Sequence, residues 1–336
     1  MVPRLSSVDA TTHLSGPIPR SRARGAPRGR PRTTGWAPTR LSLGELVKST
    51  LVLALLVAAA APPALAASSS DPATLVEAEH AFAHDAARLG TRAAFLRWLA
   101  PSAVVFEPAP VNARRWYAAR QAPRGVLAWE PEVAVLSDAG DLGWTSGPWQ
   151  WRADSTGRAP DATGSYVTLW RRQADGSLLA VFDAGTSHEA PRGAAAAPEL
   201  RRLSATHAGL SPLAQRNALW RADAEYAKRA AQDGVAAAFA ASAAPDARVL
   251  REGHAPVVGR DAARDSLARW HDRPALMSLA QFVSDSGDLG YTYGAFVERR
   301  GSETDSSYYL HVWHRSSARV WELALDLLHP APPARK

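Results

Sequence analysis

From residue 71 onward the chain switches between two hydrophobic periods, and it does so twice. Over residues 72–89, Leu75, Ala78, Phe82, Ala86 and Leu89 recur at three- to four-residue spacing, which predicts an amphipathic helix. Asp71 is placed to cap its start, Pro72 takes its first position and Gly90 supplies the stop. Thr91 is placed to cap a second short helix carrying Phe95, Trp98 and Leu99, which Pro101 ends. Ala103 to Phe106 reads as a strand and Arg114 to Arg120 as a short helix or turn. Three strand-like runs follow at 127–136, 143–152 and 164–172, and Asp175-Gly176 turns the chain into a last strand at 178–184. The second pass has a helix at 212–232 with Leu219, Ala222, Tyr226 and Ala230 on one face, and a second helix with Phe239. Val249-Leu250 is its first strand and 260–270 its third helix, before strands at 279–284, 290–299, 306–314 and 319–327. Helices followed by an antiparallel meander predict an α+β class, with the helices packed on one face of the sheet.

The two passes are copies. Asp141-Leu142-Gly143-Trp144-Thr145-Ser146-Gly147 returns as Asp288-Leu289-Gly290-Tyr291-Thr292-Tyr293-Gly294. Tyr166-Val167-Thr168-Leu169-Trp170 answers to Tyr309-Leu310-His311-Val312-Trp313, and Phe182-Asp183 to Leu325-Asp326. Upstream, Phe82, Gly90 and Phe95 answer to Tyr226, Gly234 and Phe239. A period this long means duplicated domains, since solenoid repeats run to roughly 20–50 residues. The expected division is 68–187 for the first domain, a linker at 188–210 rich in Ala, Pro, Gly and Arg with a short helical piece at 194–203, and 211–330 for the second domain.

The front of the chain follows another logic. Residues 1–40 have an Arg-, Pro- and Gly-rich composition without apolar period and are expected to be a disordered basic leader, added by a mis-assigned start. Residues 41–66 read as a signal peptide: Lys48, the apolar run 51–57, Pro62-Pro63 and the small-x-small site Ala64-Leu65-Ala66. The run is short of the roughly 20 apolar residues of a spanning helix, so no stable membrane anchor is expected, and the protein is read as periplasmic or secreted. Residues 1–66 hold eight Arg, one Lys, one Asp and one Glu; removing them from 39 basic and 32 acidic residues leaves 39 − 9 = 30 against 32 − 2 = 30. A neutral mature chain offers no electrostatic case for nucleic acid. With no cysteine, disulfides, thiolate metal sites and a Cys nucleophile are excluded.

Each copy resembles the nuclear transport factor 2-like superfamily, the cone-shaped fold that includes ketosteroid isomerase and the SnoaL-like polyketide cyclases, and within it an uncharacterised exported branch. The resemblance is carried by the long first helix with Glu79 and Phe82, the Val111-Asn112-Ala113-Arg114 turn, the 141–147 motif, and Tyr166 to Arg172 with Asp175-Gly176. It implies two tandem cone-shaped domains, each with N-terminal helices on a curved antiparallel sheet. Related single domains commonly pair through their sheets, so the copies are expected to form an intrachain pseudo-dimer. The resemblance carries over no catalytic residue.

Seven of the twelve tryptophans lie in the first copy and four in the second. Alternation puts Thr145, Gly147, Trp149 and Trp151 on one face of their strand and Trp144 and Ser146 on the other. If the Trp149 face is concave, it lines the pocket this fold encloses. Gly147 either leaves room for a ligand or marks a bulge. The candidate ligand-binding residues are therefore Trp129, Trp149, Trp151, Tyr166 and Asp183, with Tyr309, His311 and Asp326 in the second copy. Strict alternation places Asp326 on the face of Val320, Glu322 and Ala324. Glu77, His80 and His84 have helical metal-like spacing, but lie opposite Phe82 and read as a solvated face; no metal or other cofactor is expected. A phosphate loop, a nucleophile elbow and an HExxH sequence are all absent.

The function expected is binding of a small, largely apolar ligand in the first copy. The alternatives are an isomerase, dehydratase or cyclase using a pocket Asp or His, and a non-catalytic interaction scaffold. Export has a direct check: mass spectrometry of protein secreted from a bacterial host should give a chain starting near Ala67. Recovery of a peptide spanning Arg20 to Arg32 from unprocessed precursor would contradict the mis-assigned start.

Overall fold

The computed structural model describes residues 70–121, 125–153, 159–190, 197–204, 210–269, 273–300, 303–316 and 320–331. The leader and signal segment lie outside the described residues, as do the expected element ends at Trp270 and Arg319. Helix α1 (Ala73–Leu89) buries Leu75, Phe82 and Ala86, the stripe its periodicity predicted, and Asp71 accepts from the Ala73 N–H at 2.9 Å. Helix α2 (Thr91–Trp98) begins directly after Gly90, and Thr91 is its first residue rather than its cap. The chain continues through β1 (Leu99–Phe106), β2 (Pro110–Asn112), α3 (Ala113–Ala118), β3 (Val126–Trp129), β4 (Val133–Leu136), β5 (Leu142–Arg152), β6 (Ala162–Arg172) and β7 (Leu178–Ser187). Strand β8 (Glu199–Arg202) then pairs in parallel with β4, so the linker contributes a strand where a helical piece was expected. The second half runs α4 (Pro212–Asp233), α5 (Val235–Ser242), β9 (Ala243–Arg251), β10 (His254–Val258), α6 (Arg260–Leu267), β11 (Ala275–Val283), β12 (Leu289–Arg300), β13 (Glu303–Arg315) and β14 (Trp321–Pro330).

The first sheet has the order β2-β1-β7-β6-β5-β4-β8 with β3 beside β5, and the second has β10-β9-β14-β13-β12-β11. In both, the first long strand runs parallel to the last and the strands between them in sequence form an antiparallel meander, to which β8 adds in parallel in the first sheet. This is the α+β plan of two cone-shaped domains. One face of each sheet carries its helices. The run expected as one strand at 127–136 breaks into β3 and β4. Gly147 marks the break: a Cβ there would lie 2.0 Å from the Glu130 carbonyl oxygen, and at Gly294 one would lie 2.1 Å from that of Met277. Of the two readings of Gly147, the bulge holds.

The opposite faces of the two sheets pack on each other within the compact unit Pro63–Lys336. Phe106 and Phe182 from the first half meet Tyr293 and Tyr308 from the second, with ring centroids 5.1–6.5 Å apart. Trp144, completely enclosed, donates its indole N–H to His314 Nε2 at 3.0 Å, and burial pushes that imidazole down to about 3, keeping it neutral. At the rim the two β-turns clasp reciprocally. The Asp138 N–H donates to Asp288 at 2.9 Å and the Asp285 N–H donates to Asp141 at 2.9 Å. Each carboxylate also accepts from its own turn serine, Ser137 to Asp141 and Ser284 to Asp288, both at 2.9 Å. The same atoms used on both sides define a local two-fold relation.

Asp288 is fully buried and Asp141 only partly so. Asp288→Ala, which strands buried N–H and hydroxyl donors, should lower the unfolding free energy by about 1–3 kcal/mol in urea titration. Asp141→Ala should cost less, and a pair of effects both under ~0.5 kcal/mol would contradict a clasp of any energetic weight.

Candidate functional site

The stripe of α1 that faces the sheet contains a charge. Glu79 lies one turn after Leu75 and is completely buried. The fold supplies donors from three strands: Trp129 Nε1 at 2.5 Å to one carboxylate oxygen, and the Thr145 hydroxyl with Trp170 Nε1, at 3.0 Å, to the other. Burial pushes the Glu79 carboxyl up to about 7, with these hydrogen bonds opposing the rise. Asp183 on β7 accepts from the Thr168 hydroxyl at 3.0 Å. Burial, and then the nearby Glu79 charge, push it to about 7 as well. Asp183 keeps partial exposure, whereas Glu79 has none. Glu107, exposed at the end of β1, is raised to about 6, its partial desolvation outweighing the pull of Arg120. The Tyr166 hydroxyl is buried and has no hydrogen-bond partner. Phe82, Trp129 and Trp170 wall the site, with Phe82 ring centroids 4.9 and 6.2 Å from the two indoles.

The second half places different chemistry at the same positions. Asp223 on α4 stands where Glu79 does and accepts from Thr292 at 2.7 Å, Tyr309 at 2.9 Å and His311 Nδ1 at 3.0 Å. His311 Nε2 lies 3.8 Å from Asp326, which also receives Arg251 at 2.7 Å and the Tyr226 hydroxyl at 3.3 Å. Arg251 is the counterpart of Glu107: Val105 pairs with Asp183 and Val249 with Asp326, and each lies two residues earlier. Burial alone would raise Asp223, but the His311 hydrogen bond and the hydroxyl donors hold it below the ordinary carboxylate range. For Asp326, likewise, Arg251 outweighs burial and keeps the carboxylate low. Every acid of this interior has a cation or several donors against it, so the second cone closes on itself as a salt-bridged core.

The structure brings the expected site residues together unevenly. Trp129, Tyr166 and Asp183 line the first interior. Trp149 follows Thr145 on the same face, its ring packed over Gly164 and Gly185. Trp151 lies at the strand end against Gly125, away from the carboxyls. Tyr309, His311 and Asp326 meet, but within the satisfied network. Strict alternation failed for Asp326: a register shift between Leu323 and Leu325 turns Ala324 with Leu325 towards the other half and leaves Asp326 pointing inward with Leu323. His80 and His84 are exposed, His80 pairing with Glu130 at 3.0 Å, and no metal-holding group occurs among the described residues. Glu79, Asp223, Glu107 and Arg251 were not picked out as site residues. The first two had a signal, a carboxylate inside the apolar stripes Leu75–Phe82–Ala86 and Leu219–Tyr226–Ala230.

No family model matches the chain, and no curated protein matches it. Among solved structures it is similar to a ketosteroid isomerase-like protein from Erwinia carotovora atroseptica, at 16% identity over 35% of this chain and 98% of that one, TM-score 0.31. A candidate dehydratase of the nuclear transport factor 2-like family from Streptomyces avermitilis aligns at 13% identity over 36% and 99%, TM-score 0.31. A protein of the same fold and unknown function from Pseudomonas putida aligns at 13% identity over 38% and 99%, TM-score 0.32.

Two outcomes follow from the contrast between the interiors. Arg251→Ala leaves Asp326 buried without its cation and should destabilise the protein by about 3–5 kcal/mol, much of it recovered by adding Asp326→Asn. A loss below ~1 kcal/mol would contradict the ion pair's structural role. Asp183 has a folded pKa near 7, raised above its ordinary value, so its contribution to stability is complete at low pH and is lost as pH rises towards 7. Asp183→Asn should flatten that loss by on the order of 2 kcal/mol between pH 4 and 8 in chemical denaturation. An unchanged pH profile would contradict the assignment.

Proposed function

We propose that the first half binds a small, largely apolar ligand in its aromatic interior, with Asp183 and the Tyr166 hydroxyl supplying the polar contacts. The observation that carries this reading is the unsatisfied state of that interior. Among the described residues no ion pair neutralises Asp183, and the Tyr166 hydroxyl lacks a partner. The second half meets the same positions with Arg251 and His311. A buried polar group without a partner costs roughly 1–3 kcal/mol, so an interior that keeps one gains when a ligand supplies the missing contact. A protonated Asp183 donates to a carbonyl or hydroxyl, which narrows the ligand to an apolar body with one neutral oxygen. The second half serves as the structural member of an intrachain pseudo-dimer, and the protein acts after export, in the periplasm or outside the cell.

A second reading rests on the titration of Asp183 near 7. A carboxyl poised there exchanges a proton with a bound molecule at little cost, which suits general acid–base chemistry of the isomerase or dehydratase kind. Its step would move a proton between Asp183 and carbon or oxygen of the ligand, with Glu79 as a fixed, enclosed partner whose charge tunes Asp183.

Native mass spectrometry of the exported protein should find a monomer carrying a small-molecule mass, and Trp149→Ala should remove that mass while circular dichroism stays unchanged. Retention of the ligand by that variant would contradict the site. Asp183→Asn separates the readings: turnover lost with binding kept favours the enzyme, and loss of binding alone favours the carrier. Small-angle scattering should give one compact particle, and a two-lobed, extended one would contradict the pseudo-dimer.

A further inference from the structure

The local two-fold relation leaves β8 without a described counterpart. β8 extends the first sheet at β4, with the Glu199 N–H donating to the Glu132 carbonyl and the Leu203 N–H to that of Leu136, both at 2.9 Å. Its charged side chains reach across to the second half and to the neighbouring turn. Arg201 meets Asp246 at 2.8 Å, Glu199 lies 3.7 Å from Arg248, and Arg202 meets Asp138 at 3.0 Å. The counterpart of β4 is β11: Val135 pairs with Trp144 and Phe282 with Tyr291, and both members shift by 282 − 135 = 291 − 144 = 147 positions.

β11 is the last strand of its sheet. Its Met277, Leu279 and Phe282 are 55%, 58% and 42% exposed, a long apolar edge of the kind that sheet proteins ordinarily cover. Beside it lies a cavity of about 550 Å³ between the halves. Its walls are the image of the seat that β8 fills: Ser102 stands for Asp246, Val104 for Arg248, Asp285 for Asp138 and Arg171 for His314. The side-chain oxygen of Gln281, at the middle of the edge, is buried there without a hydrogen-bond partner.

We propose that β11 is a docking edge for an extended peptide of a partner protein, added as a parallel strand in the way β8 adds to β4. The groove is walled by the start of α4 at Pro212, Gln215 and Arg216 on one side and by Ser102 and Val104 of β1 on the other. The changes between the two seats set the sequence it takes. Where β8 has Glu199 against Arg248, the peptide meets Val104 and carries an apolar residue. Where β8 has Arg201 against Asp246 and beside His314, the peptide meets Ser102 and Arg171 and carries an acid. Where β8 has Arg202 against Asp138, the peptide meets Asp285 and keeps a base. The recognised pattern is therefore apolar, any residue, acidic, basic.

The test uses the full chain and two labelled peptides in fluorescence anisotropy: residues 198–204 unchanged, and the same segment carrying Glu199→Val and Arg201→Glu. The altered peptide should bind on the order of tenfold tighter, through one new charge pair and one relieved burial. Arg171→Glu, at an exposed position, should reverse the preference. Hydrogen exchange should show new protection at Leu279, Gln281 and Val283. Equal binding of both peptides, or a preference that Arg171→Glu leaves unchanged, overturns the proposal. So does the absence of binding together with concentration-dependent self-association of the chain, which would give the edge to a second copy.

Discussion

Seven residues, repeated once, hold this molecule in its arrangement. In Asp-Leu-Gly-aromatic-Thr-x-Gly each position answers a separate constraint. The Asp clasps the turn of the other half, at Asp141 and at Asp288. The Leu enters the core. The first Gly leaves room for the helix leucine, since a Cβ at Gly143 would lie 2.5 Å from Leu75 and one at Gly290 2.7 Å from Leu219. The aromatic residue turns to the interface, as Trp144 does towards His314 and Tyr291 towards Phe182. The Thr reaches back to the helix carboxylate, Glu79 or Asp223. The last Gly lets the edge strand's backbone cross. One short strand segment therefore ties helix, sheet and partner domain together, and the rest of each cone is built around it.

Upon that shared frame the two interiors diverged by charge. Both keep an acid on the first helix and another on the last strand, Glu79 with Asp183 and Asp223 with Asp326. In the second half Arg251 supplies a cation to Asp326 and His311 a hydrogen bond to Asp223, and the carboxylates stay low. In the first half the same places hold Glu107 and Thr168, so burial wins and the carboxyls rise towards neutrality. A duplicated domain can diverge in this way: one copy gains an ion-paired core, and the other keeps buried acids without a cation among the described residues. The two halves have opposite dependences on acidity, since low carboxylate pKa values favour folding as pH rises and raised ones favour it as pH falls. The outer face carries a parallel asymmetry, because the linker strand covers one sheet edge and, among the described residues, no strand pairs with the matching edge.

The fold was legible because duplication printed every constraint twice. The helix stripes and the 141–147 motif each had a second copy to check against. The misreadings have local causes. The 127–136 run breaks at Glu130-Pro131-Glu132, where the proline was the available signal and β5 passes alongside at Gly147. The 194–203 segment has helical composition, but at Glu199–Arg202 pairing with the edge of β4 decides the conformation from outside. Asp326 faces inward because of a one-residue shift at Ala324, which no alternation rule contains. The site was half legible. The aromatic residues and Asp183 stand out by type, whereas Glu79 reads as one polar position on an amphipathic helix. Arg251 emerges as the partner of Asp326 only through strand register.

The first interior holds acids near neutrality while the second holds ionised ones. Carboxyl carbon NMR titration of the full chain, with Asp183→Asn and Asp326→Asn providing assignments, tests it most directly. Asp183 should titrate at about 7, and Asp326 should remain ionised below the ordinary Asp range. An Asp183 signal titrating near ~4, like that of a solvated aspartate, would contradict it.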